Sequence, residues 1–183
     1  MSFFGLTFGR RSAARIAPPI SVARPVPGAW FAREEAIMGT AIRVELWNED
    51  ERDAQCAITA VMDEMHRIDH AMSPHKPASE LSRINRDAAH EAVPLLAEMY
   101  RLLERSLEFS RFSGGAFDIT FASVGNLYDY RHGTAPTAAE LERGRAAIGW
   151  QHLLLDRATR SVRFGREGMR IDLGGFAKGH AVD

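Results

Sequence analysis

This 183-residue sequence has a single cysteine, almost no net charge and no long apolar run. Its one cysteine, Cys56, excludes an intramolecular disulfide and leaves the redox compartment open. We expect Cys56 to be a small buried residue of a helix. The formal net charge is -1, so there is no basic excess of the kind that nucleic acid attracts, and we expect no nucleic-acid partner. No apolar stretch is long enough for a transmembrane segment.

The start of the chain lacks acidic residues. Five arginines precede the first acidic residue, Glu34, and four prolines interrupt the same segment. No sustained apolar stretch follows Arg10 and Arg11, as a secretory signal would require, and no cysteine is there to carry a lipid. We therefore predict a flexible basic leader over residues 1–33 and one domain over residues 34–183. A mis-assigned start or a degenerate export signal is the alternative.

Hydrophobic periodicity predicts a strand and two helices in the first half of the domain. The alternation over residues 40–47 marks the strand. A proline-flanked loop and a short helical turn capped by Ser79 separate the two helices. The second helix is predicted to hold Pro94 in its first turn. The expected apolar stripes are Ile58, Val61, Met65, Ile68 and Met72 on the first helix and Leu96, Met99, Leu103 and Leu107 on the second.

Shorter elements alternate in the second half. Residues 137–140 match a capping box and predict the start of a short helix that ends near Gly149. The stretches LLLD and SVRF are predicted to be two strands joined by a turn. Residues 169–173 are predicted to form a further strand with alternate residues on one face. Mixed strands and helices in this order indicate an α+β domain.

The last fifteen residues, MRIDLGGFAKGHAVD, concentrate chemically useful groups. Gly174 and Gly175 permit a sharp turn, here called the glycine turn, and a close approach of a ligand to the backbone. If a helix follows, its free N–H groups offer a phosphate site, and Lys178 opposes the helix dipole unless an anion is bound. The pattern is neither a Walker A loop nor a GxGxxG turn. An ordinary strand-to-helix connection is the alternative.

Four motifs stand in an order seen in one enzyme family: MGT at 38–40, SELSRIN at 79–85, GGAFDIT at 114–120 and IDLGGFAKGHAVD at 171–183. From about residue 37 to its end, the chain resembles the FAD:protein FMN transferases, the ApbE family. The resemblance implies an incomplete α+β domain of that family. It also implies an Mg²⁺-dependent enzyme that cuts FAD at its pyrophosphate, attaches FMN to a threonine or serine hydroxyl of an acceptor protein and releases AMP.

The resemblance also implies site residues. Asp172 and Lys178 would contact FAD, and the main-chain carbonyl of Gly175 would be a metal ligand. We infer in addition that Lys178 stabilises charge on the phosphates during transfer. Weaker FAD contacts are implied at Met38, His75, Ala116, Phe117 and Asp118. For Asp118, a role in capping or bracing a turn is equally consistent with the sequence.

Three departures from the family matter. His75 stands where many members have a tyrosine, and Ser123 replaces a common proline. The family domain also continues beyond the glycine turn, where it supplies an aspartate and a threonine to the metal. We therefore expect a fragment or truncated reading frame that is inactive alone and prone to self-association through exposed apolar faces. Family members are often exported to the periplasm, whereas the missing signal favours the cytoplasm, so the compartment stays open.

Two other functions stay open. One is a non-catalytic flavin-nucleotide-binding protein, which would bind FAD without releasing AMP. The other is a zinc site at His66 and His70, whose spacing puts both on one side of a helix, with Asp63 and Asp69 nearby. Because there is no HExxH motif and no recognised third ligand, a solvated helix face is the favoured interpretation of the histidines.

Overall fold

The computed structural model describes residues 28–129 and 132–183 as a mixture of strands and helices, which confirms the predicted α+β class. The strands are β1 (Ala29–Ile37), β2 (Thr40–Asn48), β3 (Val93–Pro94), β4 (Leu153–Asp156) and β5 (Ser161–Phe164). The α-helices are α1 (Glu51–Met72), α2 (Glu80–Asp87), α3 (Ala97–Phe112), α4 (Ala122–Gly125), α5 (Ala138–Ala147) and α6 (Ala177–Val182).

Strands β1 and β2 form an antiparallel hairpin that packs on α1. The register pairs Ile37 with Thr40 across a two-residue turn. Alternate side chains of both strands pack on a small cluster that includes Ile58 and Met62 of α1. The predicted strand over residues 40–47 is confirmed as β2. β1 begins inside the predicted leader, so the expected boundary at residue 34 falls within a strand. Residues 1–27 of that leader lie outside the described residues.

Helix α1 begins at a side-chain cap, because the Asp50 carboxylate accepts a hydrogen bond from the Asp53 amide at 3.0 Å. The predicted stripe is confirmed except at Val61, which is 38% exposed; Met62 is buried instead. The expectation that Cys56 is buried is wrong, since this residue is exposed. Cys56 precedes buried Ile58 by two positions, and residues so spaced lie on opposite sides of a helix.

Ser79 caps the short helix α2, as predicted. Its hydroxyl oxygen accepts a hydrogen bond from the Ser82 amide at 2.9 Å, and its hydroxyl donates to the Ser73 carbonyl at 2.7 Å. These two bonds close the loop over residues 73–79 against the end of α1. The loop is therefore held in a defined conformation, and this matters because it forms one wall of the cleft described below.

Pro94 is not in a helix, contrary to the prediction. It lies in β3, at one edge of the sheet β3–β5–β4, where a residue without an N–H group is tolerated. Helix α3 begins only at Ala97, and Leu96, which precedes it, is 67% exposed instead of buried. The Leu96 amide donates to the Glu80 carboxylate at 2.8 Å, which replaces a side-chain cap. The two strands predicted for the stretches LLLD and SVRF are confirmed as β4 and β5 of this sheet.

Residues 169–173 have the predicted alternation, with Met169, Ile171 and Leu173 buried, but they are not a strand. Side chains replace a neighbouring strand. The Ser123 hydroxyl accepts from the Arg170 amide at 3.0 Å and donates to the Arg170 carbonyl at 3.3 Å. The Ser123 hydroxyl thus satisfies both main-chain polar groups of Arg170. The segment stays extended and enters the glycine turn from the middle of the core.

The main core lies between α2, α3, the three-stranded sheet and residues 169–173. The hairpin and α1 form the second, smaller cluster. Met38 and Ala181 pack against both clusters, so the hairpin turn and α6 meet where the clusters adjoin. Within the described ranges, no helix is long and apolar enough to cross a membrane.

Candidate active site

A cleft of about 380 Å³ opens where the hairpin turn, the end of α1 and the glycine turn meet. Four predicted site residues line it: Met38, His75, Asp172 and Lys178. They come from three separate stretches of the chain, and the fold brings them together. The remaining lining residues are Ala36, Gly39, Asp69, Met72, Ser73, Pro74, Lys76, Gly174 and Ala177.

Met38 reaches the cleft from the hairpin turn. Its φ angle is 52° and that of Gly39 is 71°, so both turn residues have positive φ, as the two-residue turn that best fits hairpin twist requires. Methionine is disfavoured in this left-handed conformation. The side chain is half-buried against both hydrophobic clusters. The turn therefore fixes the thioether at the rim of the cleft.

The glycine turn is built around Leu173 and Asp172. The Leu173 carbonyl accepts hydrogen bonds from the amides of Phe176 and Ala177, at 2.8 and 2.7 Å. The Asp172 carboxylate accepts a hydrogen bond from the Gly174 amide, which fixes its orientation. A Cβ atom at position 174 would lie 2.8 Å from Oδ1 of that carboxylate, so a larger residue there would displace the Asp172 side chain. Position 175 is open, and no hydrogen bond from the described residues reaches the Gly175 carbonyl.

Lys178 is exposed in the first turn of α6, and none of the described residues forms an ion pair with it. The other cation of the cleft, Lys76, donates to the Asp69 carboxylate at 2.7 Å. These are the only two lysines in the sequence. The charge of Lys178 is therefore available to a bound anion, whereas that of Lys76 is largely neutralised by its partner.

The predicted stretch Ala116 to Asp118 does not line the cleft. Phe117 packs in an aromatic cluster with Phe109 and Phe176, with ring centroids 5.9 to 6.2 Å apart. Through Phe176 this cluster buttresses the glycine turn from behind. Ala116 is exposed.

Asp118 acts as a brace in this structure. One carboxylate oxygen accepts from the Thr120 amide at 2.8 Å and the Thr120 hydroxyl at 2.7 Å, and the other accepts from the Trp150 amide at 3.0 Å. Both oxygens are thus engaged within the protein. FAD contacts at Ala116, Phe117 and Asp118 remain predictions, whereas the bracing role of Asp118 is observed.

Comparisons with known proteins identify the family. The pattern that describes the ApbE family matches residues 38–183. The chain belongs to the ApbE family. An FAD:protein FMN transferase from Chlamydia muridarum (strain MoPn / Nigg) is 32% identical over 134 residues, covering 72% of this chain and 42% of that protein. The one from Treponema pallidum (strain Nichols) is 26% identical over 161 residues, covering 84% of this chain and 44% of that protein.

Solved ApbE structures share the fold. The ApbE protein of Thermotoga maritima superposes with a TM-score of 0.76 at 27% identity, over 85% of this chain and 50% of that chain. The flavin transferase ApbE from Vibrio cholerae superposes with a TM-score of 0.73 at 24% identity. This ApbE-family chain therefore spans about half the length of the relatives that it matches.

The residues that this ApbE-family chain offers to Mg²⁺ fit the ion in kind. The carbonyl of the exposed residue Gly175, which does not line the cleft, and the Asp172 carboxylate, which does, are hard oxygen donors. Mg²⁺ often takes one or two protein oxygens together with substrate phosphates and water. Residues 28–129 and 132–183 contain no group of three or more His, Cys, Asp or Glu residues that could hold a metal ion. A metal site here would thus need ligands beyond these two.

The two candidate zinc ligands, His66 and His70, have different surroundings. The His66 ring lies 2.7 Å from the Glu35 carboxylate of β1, and His70 is exposed one turn later. In the described part of the chain no third ligand joins them. The structure therefore supports a polar helix face that pairs with the hairpin.

Sequence reasoning missed two contributions to the site. Lys76 and its partner Asp69 form part of the cleft wall. The only sequence signal for this wall was the proline-flanked loop around His75. A second cleft of about 330 Å³ also shares Pro74, His75 and Asp172 with the first and continues toward Arg170. The residues between the two clefts therefore face both.

Proposed function

We propose that the cleft serves the activity of the family, which is transfer of FMN from FAD to a threonine or serine hydroxyl of an acceptor protein, with release of AMP and dependence on Mg²⁺. The observation that carries the proposal is the convergence of Met38, His75, Asp172 and Lys178 on one cleft. The relatives named FAD:protein FMN transferase support the same activity. FAD, Mg²⁺ and the acceptor protein are the proposed ligands.

The cleft offers complementary surfaces to a dinucleotide. Met38 presents a polarizable thioether, which packs well on an aromatic ring, and the His75 imidazole can stack on one. Asp172 presents a fixed carboxylate oxygen that accepts hydrogen bonds from hydroxyl or N–H groups. Lys178 presents a free ammonium group for the phosphates. FAD contains aromatic rings, hydroxyl groups and phosphates, so each of these side chains has a matching group on the ligand.

The reaction exchanges a phosphoanhydride bond of FAD for a phosphoester bond to the acceptor. The acceptor oxygen forms a bond to the phosphorus of the FMN half, and the bond from that phosphorus to the bridging oxygen of the pyrophosphate breaks. AMP leaves with the bridging oxygen, and the hydroxyl proton passes to solvent. Lys178 offsets the negative charge that develops on the phosphate oxygens. Mg²⁺, when bound, would neutralise charge on the pyrophosphate.

The test is an FAD titration of the purified 183-residue chain with Mg²⁺, which follows flavin fluorescence and AMP release together. We expect saturable FAD binding that weakens about tenfold or more in Lys178→Met, because a free charge on phosphate is lost. Lys76→Met is the matched control, since that ammonium already pairs with Asp69. It should weaken FAD binding clearly less.

Each outcome has a distinct meaning. AMP release with a flavinylated acceptor demonstrates transfer by this chain. Saturable FAD binding without AMP release favours the non-catalytic flavin-nucleotide-binding protein. The absence of saturable binding, or equal losses in Lys178→Met and Lys76→Met, contradicts the proposed use of the cleft.

A further inference from the structure

Helix α6 carries Lys178 and packs on the fold through the small side chains of Ala177 and Ala181. It spans only Ala177–Val182, and no side chain caps its start. Ala177 is buried, and main-chain bonds join the start of the helix to Leu173. In the described ranges, one side-chain hydrogen bond ties the helix to the rest of the fold: the His180 Nε2 atom lies 2.9 Å from Glu98 Oε1.

Glu98 is a well-fixed partner for His180. Its carboxylate lies in the first turn of α3 and accepts two hydrogen bonds from the Arg67 guanidinium of α1, at 2.8 and 2.7 Å. Arg67 is itself held by two bonds to Glu64, at 2.9 and 2.7 Å. The hydrogen bonds from Arg67, followed by the one from His180, lower the pKa of Glu98 to about 2. Three helices thus meet at one carboxylate that is ionised at neutral pH.

The helical spacing links this anchor to the cleft. His180 follows Lys178 by two positions, and residues so spaced point to opposite sides of a helix. When His180 faces Glu98 on the inner side, Lys178 is turned toward the cleft that it lines. Together with the packing of Ala177 and Ala181, the contact with Glu98 therefore fixes the rotation of α6 about its own axis.

We propose that His180 is a positioning residue that orients Lys178 toward the phosphates by donating a hydrogen bond from Nε2 to Glu98. This inference rests on the proposed function, because FAD is taken as the ligand of Lys178. His180 touches no substrate in this arrangement; it acts through the rotation of α6. Glu98, Arg67 and Glu64 supply the fixed side of the anchor.

The anchor is tested without FAD by amide hydrogen exchange of residues 174–183 in the wild type, His180→Ala and His180→Gln. Glutamine reaches about as far as histidine and still donates to Glu98. We expect faster exchange in His180→Ala and near wild-type exchange in His180→Gln. Equal exchange in the wild type and His180→Ala would overturn the proposal.

Orientation of Lys178 is read directly from its side chain. Because the sequence has two lysines, reductive ¹³C-methylation gives two lysine signals, which Lys178→Met and Lys76→Met assign. We expect the Lys178 signal to shift in His180→Ala and the Lys76 signal to stay in place. An unmoved Lys178 signal also overturns the proposal, whether or not FAD binds.

FAD affinity then separates positioning from general stability. We expect His180→Ala to weaken FAD binding about threefold to tenfold and His180→Gln to restore most of the loss. In a Lys178→Met background, His180→Ala should have no further effect, because the group it positions is gone. Additive losses would show that His180 does not act through Lys178. Absence of FAD binding by the wild type would contradict the proposed function, and the exchange and NMR results would still decide the anchor.

Discussion

The Asn85 side chain takes both hydrogen bonds of the Ile171 main chain. Its Oδ1 atom accepts from the Ile171 amide at 2.8 Å, and its Nδ2 atom donates to the Ile171 carbonyl at 2.9 Å. Ile171 is completely buried. One side chain on α2 thus does the work of a neighbouring strand, and it holds the segment that leads into the glycine turn.

Replacing Asn85 by alanine should therefore destabilise the fold by about 1 to 3 kcal/mol, because two buried main-chain groups lose their partners. Urea or thermal unfolding measures the loss. Asn126→Ala is the matched control, since Asn126 is exposed and makes no side-chain hydrogen bond with the described residues. Equal stability of the two variants would contradict the assigned role.

Asp118→Asn should lower stability more than it lowers FAD affinity. The asparagine keeps one oxygen acceptor, but its NH₂ group accepts no hydrogen bond, so either Thr120 or the Trp150 amide loses its acceptor. We expect a loss of about 1 to 2 kcal/mol in the free energy of unfolding. FAD titration at a temperature where the variant is folded should show a smaller loss than in Asp172→Asn. A larger loss would place Asp118 at the ligand.

Acid should weaken the fold through Glu98. The pKa of Glu98 is lowered from its ordinary value of 4.5 to about 2, first by Arg67 and then by His180. A lowered pKa contributes stability that is complete above about pH 4.5 and lost as the pH falls toward 2. Thermal unfolding between pH 7 and pH 2 should therefore be less pH-dependent in Glu98→Gln than in the wild type. Parallel curves would contradict this.

His75→Tyr should tighten FAD binding about twofold to tenfold, because a phenol ring has a larger stacking surface than imidazole. The measurement is the FAD titration described above. His90→Tyr, at an exposed position that does not line the cleft, is the control and should leave the affinity unchanged. A loss of affinity in His75→Tyr would mean that the ring does not stack at this position.

Met38→Asn should weaken FAD binding at nearly constant stability. Asparagine accepts positive φ, which relieves about 1 kcal/mol of left-handed strain, and this gain offsets the lost packing of the thioether. Paired measurements of Tm and FAD affinity test the prediction. A fall in Tm that accounts for the fall in affinity would argue that Met38 serves the core and not the ligand.

Much of the fold could be predicted because local patterns determined it. The alternation of β2, the stripe of α1 and the cap at Ser79 each follow from neighbouring residues. β1 could not be found, because its inward positions include the charged residues Arg33 and Glu35, which break the apolar alternation, and pairing with β2 decides its conformation. Pro94 and residues 169–173 were misjudged for a related reason. Whether a segment becomes a strand depends on which groups lie beside it, such as Ser161 for Pro94 and Asn85 for Ile171.

The candidate site shows the same division. The glycine turn and Met38 were found through motifs, and the structure places them at one cleft. The side chains that support the site were not found, because each is an ordinary charged or polar residue in the sequence. Lys76 pairs with Asp69 and Glu98 pairs with His180 only after the helices have packed.

The confinement of both lysines to one cleft has a chemical consequence. Apart from the α-amino group of Met1, both primary amines of this sequence line the proposed FAD cleft. Reagents that modify amines label most proteins at many surface lysines. In this protein they would report on the two lysines of this cleft. Protection by a bound nucleotide could then be read from two peptides in a mass spectrum.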